Sequence, residues 1–262
     1  MHTLSQPPRL RQALNKVPEV TLVFWLVKMM STTVGETAAD YLNFDLHFGL
    51  VGTSLVMGLL LAVTLFFQIR AKRYTPSLYW IAVVFISVFG TLITDNLSDN
   101  LSVPLATSTA GFGIALIATF AIWYAREKTL SIHAVDSVKR ELFYWTAILF
   151  TFALGTAAGD WVAEGLNLGY AHSVLLFGGL IAATALAHYG FKANAVASFW
   201  IAYVLTRPFG ASCGDLLSQP VQNGGLGWGT TGTSIVFLSL IVLLVTYLSF
   251  TRQNSQQPET HA

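Results

Sequence analysis

The sequence predicts an all-α polytopic membrane protein, with eight transmembrane helices arranged as four parallel two-helix repeats around a polar interior. Three observations predict it. The first is composition: of 262 residues, 54% are hydrophobic and 10% charged, against about a quarter charged in soluble domains, which must keep a surface wet. The second is segmentation. A helix crossing a hydrocarbon core of roughly 30 Å needs about 20 largely apolar residues. Such runs fall near 19–41, 50–69, 77–96, 107–125, 141–164, 171–190, 195–217 and 231–250. The third is an internal repeat. Aromatic-Trp pairs stand at Phe24-Trp25, Tyr79-Trp80, Tyr144-Trp145 and Phe199-Trp200. Ten residues after each Trp comes a glycine (Gly35, Gly90, Gly155, Gly210), and five further an aspartate (Asp40, Asp95, Asp160, Asp215).

Each repeat is a motif-bearing helix, an outer loop without Lys or Arg, and a second apolar helix. The second helices open on small hydroxyl residues: Thr53-Ser54, Ser108-Thr109, Ser173 and Thr233-Ser234. Two spans per unit make every unit enter from the same side, so the repeats are parallel and related by an axis along the membrane normal. The chain divides into a tail at 1–17, repeats at 18–73, 74–128, 141–192 and 193–251, a basic linker at 129–140, and a tail at 252–262. Four such units fit a central axis or two lobes facing a cleft, and the pattern does not choose between these. The segment before the first span is polar and basic, but the apolar run behind it is longer than a signal peptide's, so it reads as a retained helix.

Basic residues set the orientation. Arg9, Arg11 and Lys16 precede the first span. Arg70, Lys72 and Arg73 lie between spans 2 and 3, and Arg126, Lys128, Lys139 and Arg140 between 4 and 5. Lys192 and Arg252 follow spans 6 and 8. The positive-inside rule then puts both termini in the cytoplasm. A net charge of +1 argues against a nucleic-acid partner, and the single cysteine, Cys213, excludes an internal disulfide or a cysteine-rich metal site. The tryptophans are expected at the cytoplasmic headgroup boundary, and the motif glycines where two helices approach closely.

Positions 3, 7, 11 and 15 after each Trp share one helical face. Repeat 1 reads Lys28, Thr32, Glu36, Asp40. Repeat 2 reads Val83, Ser87, Thr91, Asp95 and continues to Asp99. Repeat 3 reads Ile148, Phe152, Thr156, Asp160 and continues to Glu164, and repeat 4 reads Tyr203, Arg207, Ala211, Asp215, then Gln219. Ionisable groups in a membrane face protein or water, because lipid exposure costs at least about 2.5–3.5 kcal/mol; the four stripes therefore point inward. The expected ion-binding set is Glu36, Asp40, Asp95, Asp99, Asp160, Glu164 and Asp215, the four aspartates being the metal-ligating candidates. Carboxylates are hard oxygen ligands and attract cations. Lys28 and Arg207 break the repeat as internal cations, each expected to pair or to gate, Lys28 with a partner on another helix. Pro208 predicts a kink in its helix. His47 and His172 fall near the outer face, where they either join a metal site or stand alone on the surface, and Cys213 reads as packing.

The run KVPEVTLVFWLVKMMSTTVGETAADYLNF, Lys16 to Phe44, resembles the opening repeat of a bacterial family of integral membrane proteins built from four tandem two-span repeats of unknown function. The likeness covers about 16–250, and Gly-Glu-Thr-x-x-Asp is its most specific piece. The later repeats depart from it, with Thr91, Thr156 and Ala211 at the glutamate position. The resemblance implies this architecture and a bacterial inner-membrane location, and brings no substrate.

The expectation for function is a transporter or exchanger of a small cation or proton, with a divalent metal among the candidates. It requires no resident cofactor beyond the bound cation, works in the lipid bilayer, and leaves room for a homo-oligomer. The alternatives are an acidic-ring cation channel and a non-transporting sensor or scaffold. An enzyme is not expected: H-E-x-x-H, G-x-S-x-G and a Gly-rich phosphate loop are all missing.

Overall fold

A computed structural model describes residues 15–256, with side chains up to Thr251. Arg9, Arg11 and the side chain of Arg252, used above for orientation, lie outside the described residues. Among the described residues there are eight α-helices: α1 (Leu22–Asp40), α2 (Gly49–Arg70), α3 (Pro76–Asp95), α4 (Leu105–Glu127), α5 (Val138–Asp160), α6 (Tyr170–Phe191), α7 (Ala195–Ser218) and α8 (Gly229–Gln256). Odd-numbered helices carry the motif. Their first turns are closed by the residues expected there. Thr21 and Ser137 accept from the amides of Phe24 and Arg140, Asn194 accepts from Val196 and Ala197, and α3 starts on Pro76.

Among the described residues six helices are long and apolar enough to cross a membrane: α2, α4, α6, α8, and α3 and α5 with the turns that extend them. The other two, α1 and α7, hold Lys28, Glu36 and Asp40, and Arg207 and Asp215, and they are buried along much of their length. The outer helices present the lipid-facing coat. Leu55, Ile114, Leu175 and Leu243 are each at least 66% exposed, which water would penalise and lipid does not. The protein is a polytopic membrane protein.

Helix α1 packs on α3, α3 on α5, α5 on α7, and α7 back on α1. The ring closes, so the four repeats surround one axis and do not separate into two lobes. Outside it, α2 packs on α3, α4 on α5, α6 on α7 and α8 on α1. Each outer helix therefore leaves the motif helix of its own repeat and covers that of the next, the fourth returning to the first.

Two layers show why the ring closes. At the glycine level, each motif glycine receives the side chain seven residues after the next repeat's Trp. Gly35 seats Ser87, Gly90 seats Phe152, Gly155 seats Arg207 and Gly210 seats Thr32. A Cβ added at Gly35, Gly90 or Gly210 would stand 2.6 Å from the Cβ of that residue. These glycines let helix axes approach as membrane bundles require. In α7, which continues unbroken through Pro208, the proline ring also lies against Gly155; the added Cβ would be 2.9 Å from its Cδ.

At the aromatic end, Phe24, Tyr79, Tyr144 and Phe199 each meet the Trp of the following repeat. The ring centroids are 5.6 Å apart for Phe24–Trp80, 5.6 Å for Tyr79–Trp145, 6.1 Å for Tyr144–Trp200 and 5.7 Å for Phe199–Trp25. The expected headgroup position for the tryptophans is thus corrected. Trp80, Trp145 and Trp200 are buried, and Trp25 is half-buried. Stacking between repeats takes the apolar face of each indole that an interfacial anchor would give to lipid.

Beyond this layer the chain ties itself shut. Lys16 forms a buried ion pair with Glu141 at 2.7 Å and donates to the Ile69 carbonyl at 2.7 Å, while Gln68 donates to the other Glu141 oxygen at 3.3 Å. The linker folds back, its Leu130 carbonyl accepting from the Trp200 indole at 2.9 Å. Arg140 and Lys139 bracket Glu127, with ion pairs at 2.8 Å and 3.0 Å.

Candidate functional site: an acidic cavity backed by one arginine

At the opposite end of the ring lies a cavity of about 170 Å³. Its walls carry all seven carboxylates expected from the sequence: Glu36, Asp40, Asp95, Asp99, Asp160, Glu164 and Asp215. Among the described residues its lining includes no lysine, arginine or histidine. Helices α1, α3 and α5 run straight into single π-turns at Tyr41–Asp45, Asn96–Asn100 and Trp161–Gly165. The wider turn keeps the residue four beyond each aspartate on the inner face, which brings Phe44, Asp99 and Glu164 to the rim. Helix α7 ends at Ser218 with Pro220 behind it, and Gln219 fills the fourth rim position.

The four aspartates sit one per helix, at the same register around the axis. Asp215 is 8% exposed and the other three are half-buried. Among the described residues no hydrogen bond or ion pair reaches any of the four carboxylates. That excludes the plainest structural role for them, tying the repeats together through donors on neighbouring helices. Glu36, Asp160 and Asp215 each bring one carboxylate oxygen within 4.8 Å of the other two. Two oxygens bound to one cation at roughly 2.3–2.6 Å are at most about 5 Å apart, so three walls already hold ligand atoms at coordination spacing for a Ca²⁺-sized ion.

Arg207 lies behind this lining, paired with Glu36. It is wholly buried and reaches from α7 to all three other motif helices. Nη1 donates to the Thr32 carbonyl of α1 at 2.8 Å. Nη2 donates to Glu36 at 3.0 Å, to Thr156 of α5 at 2.6 Å, and to Thr91 of α3. The guanidinium fork suits this, having several donors in one plane and a permanent charge. The threonines that replace glutamate in repeats 2 and 3 are thus its hydroxyl acceptors. A second glutamate or a third at that level would crowd like charges that one arginine cannot compensate.

Below Arg207 the axis is filled. Phe152 lies beside it, 5.5 Å from ring centroid to guanidinium carbon. Lys28 follows, wholly buried, its ammonium nitrogen 4.2 Å from the Phe152 ring centroid and 4.4 Å from that of Tyr203. The expected partner for Lys28 on another helix is not there: its Nζ has no hydrogen-bond acceptor among the described residues. Two π faces take the place of an anion. Then come Phe24, Tyr79, Tyr144 and Phe199, with the Tyr79 and Tyr144 hydroxyls 2.5 Å apart.

The histidines do not join the site. His47 is exposed, and His172 is exposed with its Nδ1 against the carbonyl of Leu168, just before its own helix, at 3.0 Å; neither lines the cavity. Cys213, half-buried, also lies outside its lining. A larger cavity of about 430 Å³ between α1, α6, α7 and the linker is walled mainly by apolar residues such as Trp25, Met29 and Ile181, and has no carboxylate. The close approach expected at the motif glycines is observed; sequence reasoning did not find which side chain each one seats, the π-turns or the acceptors of Arg207. The signal for the last was present in the stripe, where Thr91 and Thr156 stand level with Glu36.

A family defined by a Repeat of Unknown Function, DUF347, matches the chain four times, over residues 23–74, 78–129, 143–194 and 198–254. The chain belongs to the DUF347 repeat family. Comparison with curated proteins and with solved structures gives no match. Each DUF347 repeat contributes one aspartate to the cavity wall, so the cavity is assembled once per four repeats.

Proposed function

We propose that this DUF347 protein is a membrane transporter or exchanger for a small hard cation, of the divalent class, using the acidic cavity as its binding site. The observation that carries the reading is the set of four aspartates, one per repeat, that converge on one cavity with no donor of their own. Buried carboxylates without partners are costly, and a cation is the partner that offsets this for several at once. Glu36, Asp160 and Asp215 are the inner ligands in this reading, and Asp40 and Asp95 complete the ring. Asp99 and Glu164 at the rim raise the local cation concentration. Arg207 competes with the cation for Glu36, so an arriving ion must displace it.

In this reading both termini lie in the cytoplasm of a bacterial cell, which the positive-inside distribution of Lys and Arg supports, and the cavity opens outward. A carrier fits better than an acidic-ring channel, because Arg207, Phe152 and the aromatic layer fill the axis and translocation needs a second conformation. A single cation crossing at conductances well above carrier turnover would favour the channel instead. The test is a whole-element profile of cells producing the wild type or the Asp40→Asn/Asp95→Asn/Asp160→Asn/Asp215→Asn variant at equal membrane levels. An element whose cellular content moves with the wild type alone names the ion, and the sign gives its direction. Identical profiles at equal levels sink the reading.

A further inference from the structure

Lys28 is the group that the cation site leaves unexplained. A lysine almost never lies fully buried without a carboxylate, and this one does so at a position where the other repeats carry Val83, Ile148 and Tyr203. From α7 it meets the Tyr203 ring and from α5 the Phe152 ring, against which the guanidinium of Arg207 also lies; the registered positions of α3 and α5, Val83 and Ile148, are buried and apolar, and Ser87, one turn further on in α3, is buried. Helix α8, packed outside α1, has no acidic, basic or histidine residue between Gly229 and Thr251. The titratable groups in the layer beneath are the Tyr79 and Tyr144 hydroxyls. Among the described residues no carboxylate forms an ion pair with Lys28, and Glu36, on its own helix, is committed to Arg207.

Lys28 and Arg207 both lean on the ring of Phe152, at 4.2 Å and 5.5 Å from its centroid. Two cations this close, away from water, are tolerable only while one of them is neutralised, and Glu36 does that for Arg207. Arg207 keeps its charge in all states. Lys28 is the member of the pair able to give a proton up. We infer that Lys28 is the proton-carrying group of this protein, losing its proton when a cation takes Glu36 from Arg207 and recovering it when the cation leaves. In that step an N–H bond of the ammonium breaks, the electron pair stays on Nζ, and the proton passes to solvent. One proton is exchanged through Lys28 for each cation bound at the glutamate. The inference rests on the cation-binding reading and adds the coupling ion to it.

The contrary reading is a permanently charged lysine held by two aromatic rings for packing alone. The two differ in proton count. Purified protein in weakly buffered detergent solution is titrated with Mn²⁺ and, separately, Ca²⁺. Binding is measured by equilibrium dialysis with element analysis, and proton release by a pH dye. The wild type is compared with Lys28→Met, which fills the slot between the rings, and with Lys28→Arg, which keeps a charge that does not leave. The expected result is that both variants bind the ion and release about one proton fewer per ion than the wild type. Release equal to wild type in either folded variant overturns the role of Lys28, with the cation site standing. A wild type that binds neither ion overturns the inference together with the reading beneath it.

Discussion

At the scale of single residues, Arg207 does two jobs that pull in opposite directions. It joins all four motif helices through hydrogen bonds to Thr32, Glu36, Thr91 and Thr156, and it occupies a carboxylate that a cation would use. Removing one partner of a buried pair is strongly destabilising, by about 3–5 kcal/mol, whereas replacing both by well-packed neutral groups is often near neutral. Thermal unfolding in detergent should therefore show Arg207→Met far below the wild type, and Arg207→Met/Glu36→Gln recovering much of the loss. A double variant as unstable as the single one would mean that the arginine acts through packing and not through its charge. The aspartates were legible in the sequence, since a fixed register after Trp, repeated four times, needs only counting. The surroundings of Arg207 were not. Its anion lies 171 residues away, and helical spacing carries no information on which face of another helix it meets. Lys28 misled for a related reason: buried lysines normally find carboxylates, and nothing in a linear stripe reveals that two aromatic rings converge on this one.

At the scale of elements, the motif is a packing device before it is a site. A glycine on one helix accepts the position-seven side chain of the next, and an aromatic residue on one helix covers the next Trp, four times round. Gly90→Val should destabilise by at least the 1–3 kcal/mol typical of overpacking, because Phe152 Cβ and the Ala153 amide lie 2.6 Å and 3.2 Å from the new Cβ. Gly155→Val should do the same and disturb the seat of Arg207 as well. Gly179→Ala and Gly232→Ala are the controls: nothing lies within 4 Å of an added methyl at either position, and detergent thermostability should hold or rise slightly from helix propensity. Equal losses at all four sites would contradict the interlock. Helix bounds and number followed from hydropathy with small end shifts, since about 20 apolar residues in lipid leave few alternatives. The π-turns were invisible, because they depend on how the chain leaves the ring and not on a local residue pattern. The fate of the tryptophans was missed because an indole near a helix end suits both a headgroup and a neighbour's aromatic ring.

At the scale of the whole molecule, the sequence repeat and the packing unit are offset. Helix α2 belongs by sequence to α1 but lies on α3, and α8 belongs to α7 but lies on α1. A half cut from the chain therefore loses covers at both ends. If the gene is split between Lys128 and Thr129, each half produced alone should fail to give a monodisperse species in detergent. The two produced together should co-purify through the α1–α7, α3–α5, α4–α5 and α8–α1 contacts. Stable, separate halves would contradict the closed ring. That the repeats are parallel was legible, because two spans per unit permit nothing else. That they close about one axis was not, since a stripe fixes which face turns inward and not how many neighbours meet there.

The central claim is that four aspartates and Glu36 make a cation site at the end of this ring, and equilibrium binding tests it most directly. The purified chain should be dialysed against Ca²⁺, Mn²⁺ and Mg²⁺ in turn and the retained metal counted, for the wild type and for Asp160→Asn/Asp215→Asn. The account predicts about one ion per wild-type chain and little or none in the folded variant, with Mg²⁺ held least well because its shorter bonds need the walls to close further. Metal retained equally by both proteins, or by neither, would contradict it.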